Sequence, residues 1–347
     1  MPACPFGLRL FRATGICRPM DAEPKDETTP PSVMIAGPDL AIIVVSYNTR
    51  EMTLACLASV FEQTTTSFEL IVIDNASTDG SADAIRRAYP QVKLIEEAEN
   101  HGFGPAHEIA IPHVSAPWVL LLNPDVVVLD GALDSLFAFA QRTPDAGIWG
   151  GRTLYGDGSL NPTSCFAQMT LWSVFTRIVG LNGIFRSSGF FNPEYYGSWD
   201  RGSEREVDIV TGCLLLIRRE LWDRLGGFDR AFTMYGEEVD LCLRAKAMGA
   251  RPRVTPEATI IHYGGASQAV RADKMVRLLR AKMELISRHF PSRSRALGLS
   301  LFRLWPLSRR IAFAVGAGVL RRDSLAEQAR IWREVWDRRG EWQEGYS

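Results

Sequence analysis

The run Val72-Ile73-Asp74-Asn75-Ala76-Ser77-Thr78-Asp79-Gly80 carries an apolar segment straight into two carboxylates, an amide and two hydroxyls. A strand that ends this way delivers hydrogen-bonding groups to a ligand. The construction recurs where Leu40 to Val45 leads into Ser46-Tyr47-Asn48, and where Trp118 to Leu122 leads into Asn123-Pro124-Asp125. A fourth cluster, Glu237-Glu238-Val239-Asp240, packs three carboxylates into four residues at the expected start of a helix. The helix dipole favours negative charge there, but capping accounts for only one or two of the three. Neighbouring helical residues point about 100° apart. One of Glu237 and Glu238 is therefore expected to face a cleft and the other a structural partner such as Arg244. Asp240 is expected to bond local backbone or a nearby arginine, and Asp79 and Ser81 to cap a helix.

These groups need a scaffold. Apolar runs of this length suit strands buried on both faces of a parallel sheet. Open α/β sheets bind ligands beyond the carboxyl ends of such strands, so three polar tips point to one crevice. Helical patterns over 50–63, 81–89, 104–114 and 131–141 alternate with the strands, the mark of a βαβ array. After Gly150-Gly151 the regularity lapses. Residues 155–206 are rich in aromatics, Gly and Ser, and read as an acceptor-side lid or as a plain helical insertion. A strand pattern over Val207–Ile217 is interrupted at Thr211-Gly212, and a helix follows that ends at Gly226-Gly227. The acidic helix runs to Gly249, and a short strand over Ala258–Ile261 leads into His262-Tyr263-Gly264-Gly265. The fold class is α/β, a mostly parallel sheet flanked by helices, with a C-terminal helical extension.

With 347 residues, 46% of them hydrophobic, the chain can bury a large core. Its formal charge of -1 gives no sign of a nucleic-acid partner. The arginine-rich residues after 288 would meet anionic lipid headgroups or form a solvated helical surface. Six cysteines without a CxxC pair argue for reduced, buried thiols in a cytosolic compartment. No signal-peptide core is evident, and residues 1–38 read as a disordered tail. No run approaches the ~20 apolar residues of a membrane span. Ile311 to Leu320 is about half that, so a peripheral amphipathic contact is the expectation.

Taken in order, VVSYNT, VIDNASTDGS, NHGFGPA, LLNPDV, VTGCLLLIRRE, GGFD, GEEVDLCLRA and IHYGG resemble the family 2 glycosyltransferases of GT-A fold, in particular their bacterial rhamnosyltransferase-like branch. The resemblance spans roughly residues 40–290. It implies a nucleotide half over 39–150, an acceptor half over 151–290 and a basic amphipathic helical extension over 291–347. The implied reaction is inverting transfer of a sugar, rhamnose being the best single choice, from a nucleotide-diphosphate donor to a saccharide or polyprenyl-linked acceptor. The implied place is the cytosolic side of a bacterial membrane. By the same resemblance Val45, Ser46, Tyr47, Asn48, Asp74, Asn100, Gly102 and Asn123 would line the donor nucleotide. Asp125 and His262 would hold Mg²⁺ or Mn²⁺ on the diphosphate, a hard cation offsetting the leaving charge. Glu238 would be the general base, with Glu237 its rival. Thr211, Gly212 and Cys213 would wall the donor sugar and acceptor. The chain departs from the family pattern in having Asn123 where a DxD motif begins, His107 in place of a frequent Asn, and Glu rather than Asp at 238. Two other readings stand beside this one: an inactive scaffold of the same fold, and another nucleotide-binding α/β transferase. The second would need a glycine-rich phosphate loop after the first strand, and Ser46-Tyr47-Asn48-Thr49-Arg50 has no glycine.

Overall fold

A computed structural model describes residues 37–232, 234–264 and 272–346. The expected disordered tail lies outside these residues except for Gly37 and Pro38, as do Cys4, Cys17 and Gly265. Residues from Gly37 onward cluster as one compact unit.

The first half is a regular alternation: β1 (Leu40–Ser46), α1 (Arg50–Gln63), β2 (Phe68–Asp74), α2 (Ser81–Ala88), β3 (Lys93–Glu96), α3 (Phe103–Ala110) and β4 (Trp118–Leu122). These four strands run parallel in the order β3-β2-β1-β4. Every residue of β1 and β4 is buried, as strands covered on both faces require. Next come β5 (Val126–Val128), α4 (Ala132–Arg142), β6 (Ile148–Leu154), β7 (Leu160–Asn161), β8 (Cys165–Phe166), α5 (Leu171–Val179) and α6 (Leu181–Ile184). Then follow β9 (Arg205–Glu206), β10 (Ile209–Val210), β11 (Leu214–Arg218), α7 (Arg219–Leu225), α8 (Glu237–Ala247) and β12 (Arg253–His262). The sheet continues β4-β11-β6-β12-β5, with β11 antiparallel to both of its neighbours. Apolar clusters fill both faces of the sheet.

One sequence expectation changes and two are made specific. The last strand is ten residues long rather than four, because β12 tolerates Pro256 and Glu257 at an irregularity between Thr255 and Thr259. Gly151 serves that irregularity, since a Cβ there would lie 2.0 Å from the Ala258 carbonyl oxygen. The pattern over 207–217 divides into β10 and β11, which leaves Thr211-Gly212-Cys213 as a connecting turn. The irregular 155–206 segment contains two helices. Thr170 and Ser173 form a reciprocal cap at the start of α5.

The chain closes with α9 (Ala272–His289), α10 (Ser292–Leu320) and α11 (Asp323–Asp337). Phe302, Trp305, Trp332 and Trp342 join Val174 of α5 in a third apolar cluster, so the helical extension has a core of its own. None of the described helices is long and apolar enough to cross a membrane. The four described cysteines, Cys56, Cys165, Cys213 and Cys242, are free and buried, and burial pushes the Cys56 and Cys242 thiols up to about 12.

Candidate active site

The carboxyl ends of β1 and β2 are knitted together by short polar side chains. Asn48 takes a left-handed backbone (φ 52°), donates its N–H to Ser77 Oγ at 3.0 Å and accepts the Thr78 N–H on Oδ1 at 2.7 Å. Asp79 accepts the first N–H of α1, from Arg50, and also the Ser81 N–H. It thus satisfies donors at two helix starts, where intrahelical partners are missing. Ser81 caps nothing; its hydroxyl donates to Asp79, and the N-cap position of α2 is Gly80. Asn75 ties this pair of loops to the turn before α3: its Nδ2 donates to Asn100 Oδ1 and to the Gly102 carbonyl, and its Oδ1 accepts the His101 N–H. Within this frame Asp74 is 3% exposed. Its Oδ1 accepts the Ser77 N–H at 2.8 Å, and its Oδ2 has no partner. A buried acceptor held in place with one oxygen unsatisfied is ready for a ligand N–H.

Several residues expected on the nucleotide have side chains that are buried or already paired within the protein. Val45 is in the core, and Ser46 is fully buried with its Oγ bonded to Thr49 and Thr53 and its carbonyl accepting the Asn75 N–H. Tyr47 stands half-exposed at the mouth. The side chains of Asn48 and Asn100 are committed to the loop network. His107 is buried against Phe103 and Phe228, and its Nδ1 donates to the Phe103 carbonyl. Burial pulls its pKa from 6.5 down to about 4, so it is a neutral core residue.

Next to this frame the ends of β4 and β12 meet. Asp125 Oδ1 lies 3.3 Å from His262 Nε2, and the Asn123 amide nitrogen lies 3.3 Å from the same atom. Asn123 Oδ1 and His262 Nδ1 are buried without partners. Burial disfavours the charged imidazole, but hydrogen bonding to Asp125 and Cys213 outweighs it and pushes His262 up to about 10. Among the described residues no group of three or more His, Cys, Asp or Glu side chains converges as a cation site.

Across the cleft, Tyr235 and Gly236 both take left-handed backbone (φ 70° and 92°) and turn the chain sharply into α8. The helix thereby presents its end to the cleft. Both Glu237 and Glu238 border this space of about 330 Å³, with Asn123, Thr211, Gly212, Cys213 and His262 on the other walls. The expectation that only one of the two would face it fails, because at a helix end consecutive side chains diverge around the same opening. The expected pairing with Arg244 fails as well. Arg244 turns to Asp240 at 2.6 Å and to the Leu225 and Gly227 carbonyls, while His289 bonds the other oxygen of Asp240 at 2.8 Å. Among the described residues neither glutamate has a compensating cation in contact. Burial and then the charge of Glu238 raise the pKa of Glu237 well above the usual carboxylate range. Burial raises that of Glu238, with Lys282 opposing.

Behind Glu238 lies a second, mostly apolar cavity of about 180 Å³. Glu194 there accepts from Lys282 at 2.7 Å and from Arg177 at 2.5 Å, all three side chains largely buried. None of the three stands in a motif that the sequence singles out. Their approach depends on α5, the 180–206 segment and α9 folding onto one another, and local sequence carries no signal of that.

The strand-tip crevice thus brings together an amide-rich pocket, a carboxylate–imidazole pair and an acidic helix start on a GT-A scaffold. Residues 41–224 match the model of the family described as Glycosyl transferase family 2, and the chain belongs to that family. It is a glycosyltransferase that moves a sugar from a nucleotide donor. The chain is 29% identical over 235 residues to the N-acetylglucosaminyl-diphospho-decaprenol L-rhamnosyltransferase of Mycobacterium tuberculosis, covering 65% of this chain and 76% of that one. It is 39% identical over 173 residues to the rhamnosyltransferase WbbL of Escherichia coli K12, covering 47% and 61%. In fold it is similar to the mannosyltransferase PcManGT of Pyrobaculum calidifontis, solved with GDP-Man and Mn2+, at a TM-score of 0.56, 17% identity and 89% coverage of both chains.

Proposed function

We propose that the protein transfers rhamnose, with inversion, from a nucleotide-diphosphate donor to a lipid-linked saccharide during cell-surface polysaccharide synthesis. The work would be done peripherally on the cytosolic face of a membrane. The observation that carries the reading is the opposition across one cleft of the Asn123–Asp125–His262 cluster and the glutamate pair. The choice of rhamnose and of a polyprenyl-diphosphate-linked acceptor draws on what the mycobacterial and E. coli relatives are named for.

The residues fit a divalent cation. Asp125 offers hard oxygens, Asn123 an unpartnered carbonyl oxygen, and His262, 3.3 Å from Asp125, an imidazole nitrogen once the cation displaces the proton that its raised pKa keeps on the ring. With so few protein ligands, diphosphate and water would complete the shell, a pattern that suits Mg²⁺ or Mn²⁺. When bound, the cation offsets the charge that develops on the departing diphosphate. The protein's own residues do the rest. Asp74 accepts a base N–H on Oδ2, and Gly102 together with the Asn75–Asn100 network fixes the nucleoside side. Thr211, Gly212 and Cys213 leave room for the sugar. Glu238 takes the proton from the acceptor hydroxyl as that oxygen bonds to the anomeric carbon and the bond to the diphosphate breaks on the opposite face. A raised carboxylate pKa suits this step, because a more basic group accepts a proton more readily.

Calorimetric titration with dTDP-, UDP- and GDP-sugars, each with Mn²⁺ and with EDTA, tests the donor half. The expected result is metal-dependent binding of the dTDP donor, followed by transfer to a lipid-linked N-acetylglucosamine. Failure of all three donors to bind would replace the reading with a scaffold of the same fold.

A further inference from the structure

The C-terminal helices bury one apolar face and leave another bare. α10 directs Phe302 and Trp305 into the third core cluster. Leu304, Ile311, Val315 and Val319 recur at intervals of seven, four and four residues, the spacing of a single helix face. They are 45%, 55%, 59% and 74% exposed. An ordinary surface helix would show polar residues on that side. α10 thus carries apolar residues on an uncovered face as well as on its covered one. α5 lies alongside, fastened by the Ser308 hydroxyl to the Ile178 carbonyl at 2.8 Å and by Arg309 to the Arg177 carbonyl. It adds a bare edge of its own in Trp172, Phe175 and Val179, and the Trp172 ring is held against Phe190 at 4.8 Å.

The charge of the same elements is one-sided. Between Phe290 and Asp323 stand seven arginines and no Asp or Glu, and residues 171–191 hold no acid and two arginines, of which Arg186 is exposed while Arg177 is buried against Glu194. These two stretches hold nine of the chain's 39 Lys and Arg and none of its 40 Asp and Glu, so elsewhere the acids outnumber the bases. Exposed aliphatic and aromatic side chains among arginines, with acids excluded, complement an interface that is apolar beneath and anionic above. No described helix could span a bilayer, so the contact lies along the surface.

We propose that the exposed faces of α10 and α5 form a docking surface for a bilayer containing anionic lipid, seating Leu304, Ile311, Val315, Val319, Trp172 and Phe175 at the headgroup boundary. This rests on the reading that the acceptor is lipid-linked, and it names the part of the protein that brings the cleft to that lipid. Nothing in the donor site takes part.

The test is co-sedimentation of the full chain with phosphatidylcholine vesicles and with vesicles that also contain phosphatidylglycerol. Wild type, Val315→Glu/Val319→Glu and Trp172→Ala/Phe175→Ala are compared, with donor titration and light scattering alongside. The expected result is binding to the anionic vesicles only, weakened tenfold or more in both variants, with donor affinity unchanged. Equal affinity for both vesicle types, or variants that bind as wild type does, would overturn the proposal. So would a wild-type dimer that the Val315→Glu/Val319→Glu variant dissolves, since a second copy would then cover the face. Intact donor binding in those cases leaves the transferase reading standing, whereas loss of donor binding by wild type would count against that reading instead.

Discussion

The two sides of the cleft are built on opposite principles. On the donor side nearly every polar group is already paired: Asn48 with Ser77 and Thr78, Asp79 with two helix starts, Asn75 with Asn100, His101 and Gly102. The exceptions are one oxygen of Asp74, Asn123 Oδ1 and His107 Nε2. On the expected acceptor side Glu237 is buried with half-buried Glu238 beside it; among the described residues no cation contacts either, and Glu237 Oε2 has no partner. A paired network holds a shape at little cost, and an unpaired buried carboxylate holds chemical potential, because its charged form is disfavoured. The contrast teaches that recognition and reactivity here draw on different states of the same residue types.

If this division holds, removing the reactive charge must hurt catalysis far more than binding. Glu238→Gln keeps the shape and removes the base, and transfer is expected to fall about 10³-fold, within the range for a positioned general base. Donor affinity should stay unchanged by calorimetry. If Glu237→Gln showed the larger loss, the roles within the pair would be exchanged.

On the donor side burial should suppress titration instead of using it. His107 is held neutral, with its pKa at about 4 against 6.5 for the free side chain. Between those values the unfolded chain binds a proton that the folded chain does not. Stability therefore falls as pH drops from 6.5 to 4, by ~3 kcal/mol in all for a group buried this deeply. His107→Leu should flatten that slope in urea midpoints measured across the window. At neutral pH it should cost no more than the hydrogen bond to Phe103, about 1 kcal/mol. An unchanged slope would place the acid sensitivity elsewhere.

These two residues also mark what the sequence discloses. β1, β2 and β4 were legible because buried parallel strands must be apolar throughout, and the polar tips stand out against them. The crowding of Glu237, Glu238 and Asp240 was legible because dipole and capping effects leave carboxylates over. Which glutamate faces what was not legible, since it depends on the left-handed turn at Tyr235-Gly236. Asn75 stood inside a recognised motif, yet its role as the hub of three loops appears only once the turn at Asn100 is folded beside it. His107 looked like an altered ribose contact and is a packed ring. The bare face of α10 was hidden for the same reason: apolar residues in a helix announce themselves, but what covers them is a tertiary fact.

Asp74→Asn probes the open carboxylate oxygen in the paired network. The substitution keeps the hydrogen bond to the Ser77 N–H through Oδ1 and replaces the acceptor Oδ2 with a donor. A hydrogen bond to a charged group is worth about 1.5–3 kcal/mol, so donor affinity should fall about 10- to 100-fold while the thermal midpoint barely moves. A loss of stability without a loss of affinity would return Asp74 to the loop framework.

The smallest effect is the most discriminating. As the proposed base Glu238 must be ionised to accept the acceptor's proton, so the rate is expected to fall as pH drops through its pKa, which burial places above the ordinary 4.5. Lys282 opposes that rise from the far wall of the neighbouring cavity while it bonds Glu194. Lys282→Met removes the opposing charge, and the acid limb of the rate profile should then shift to higher pH, with Lys282→Arg restoring it. The shift should stay below about one pH unit, because the two groups are not in direct contact and the attraction weakens with distance. A residue that merely braced α9 against the 180–206 segment would lower the thermal midpoint and leave the limb in place. The position of that limb therefore decides whether the buried Arg177–Glu194–Lys282 cluster belongs to the reactive side of the cleft or only supports it.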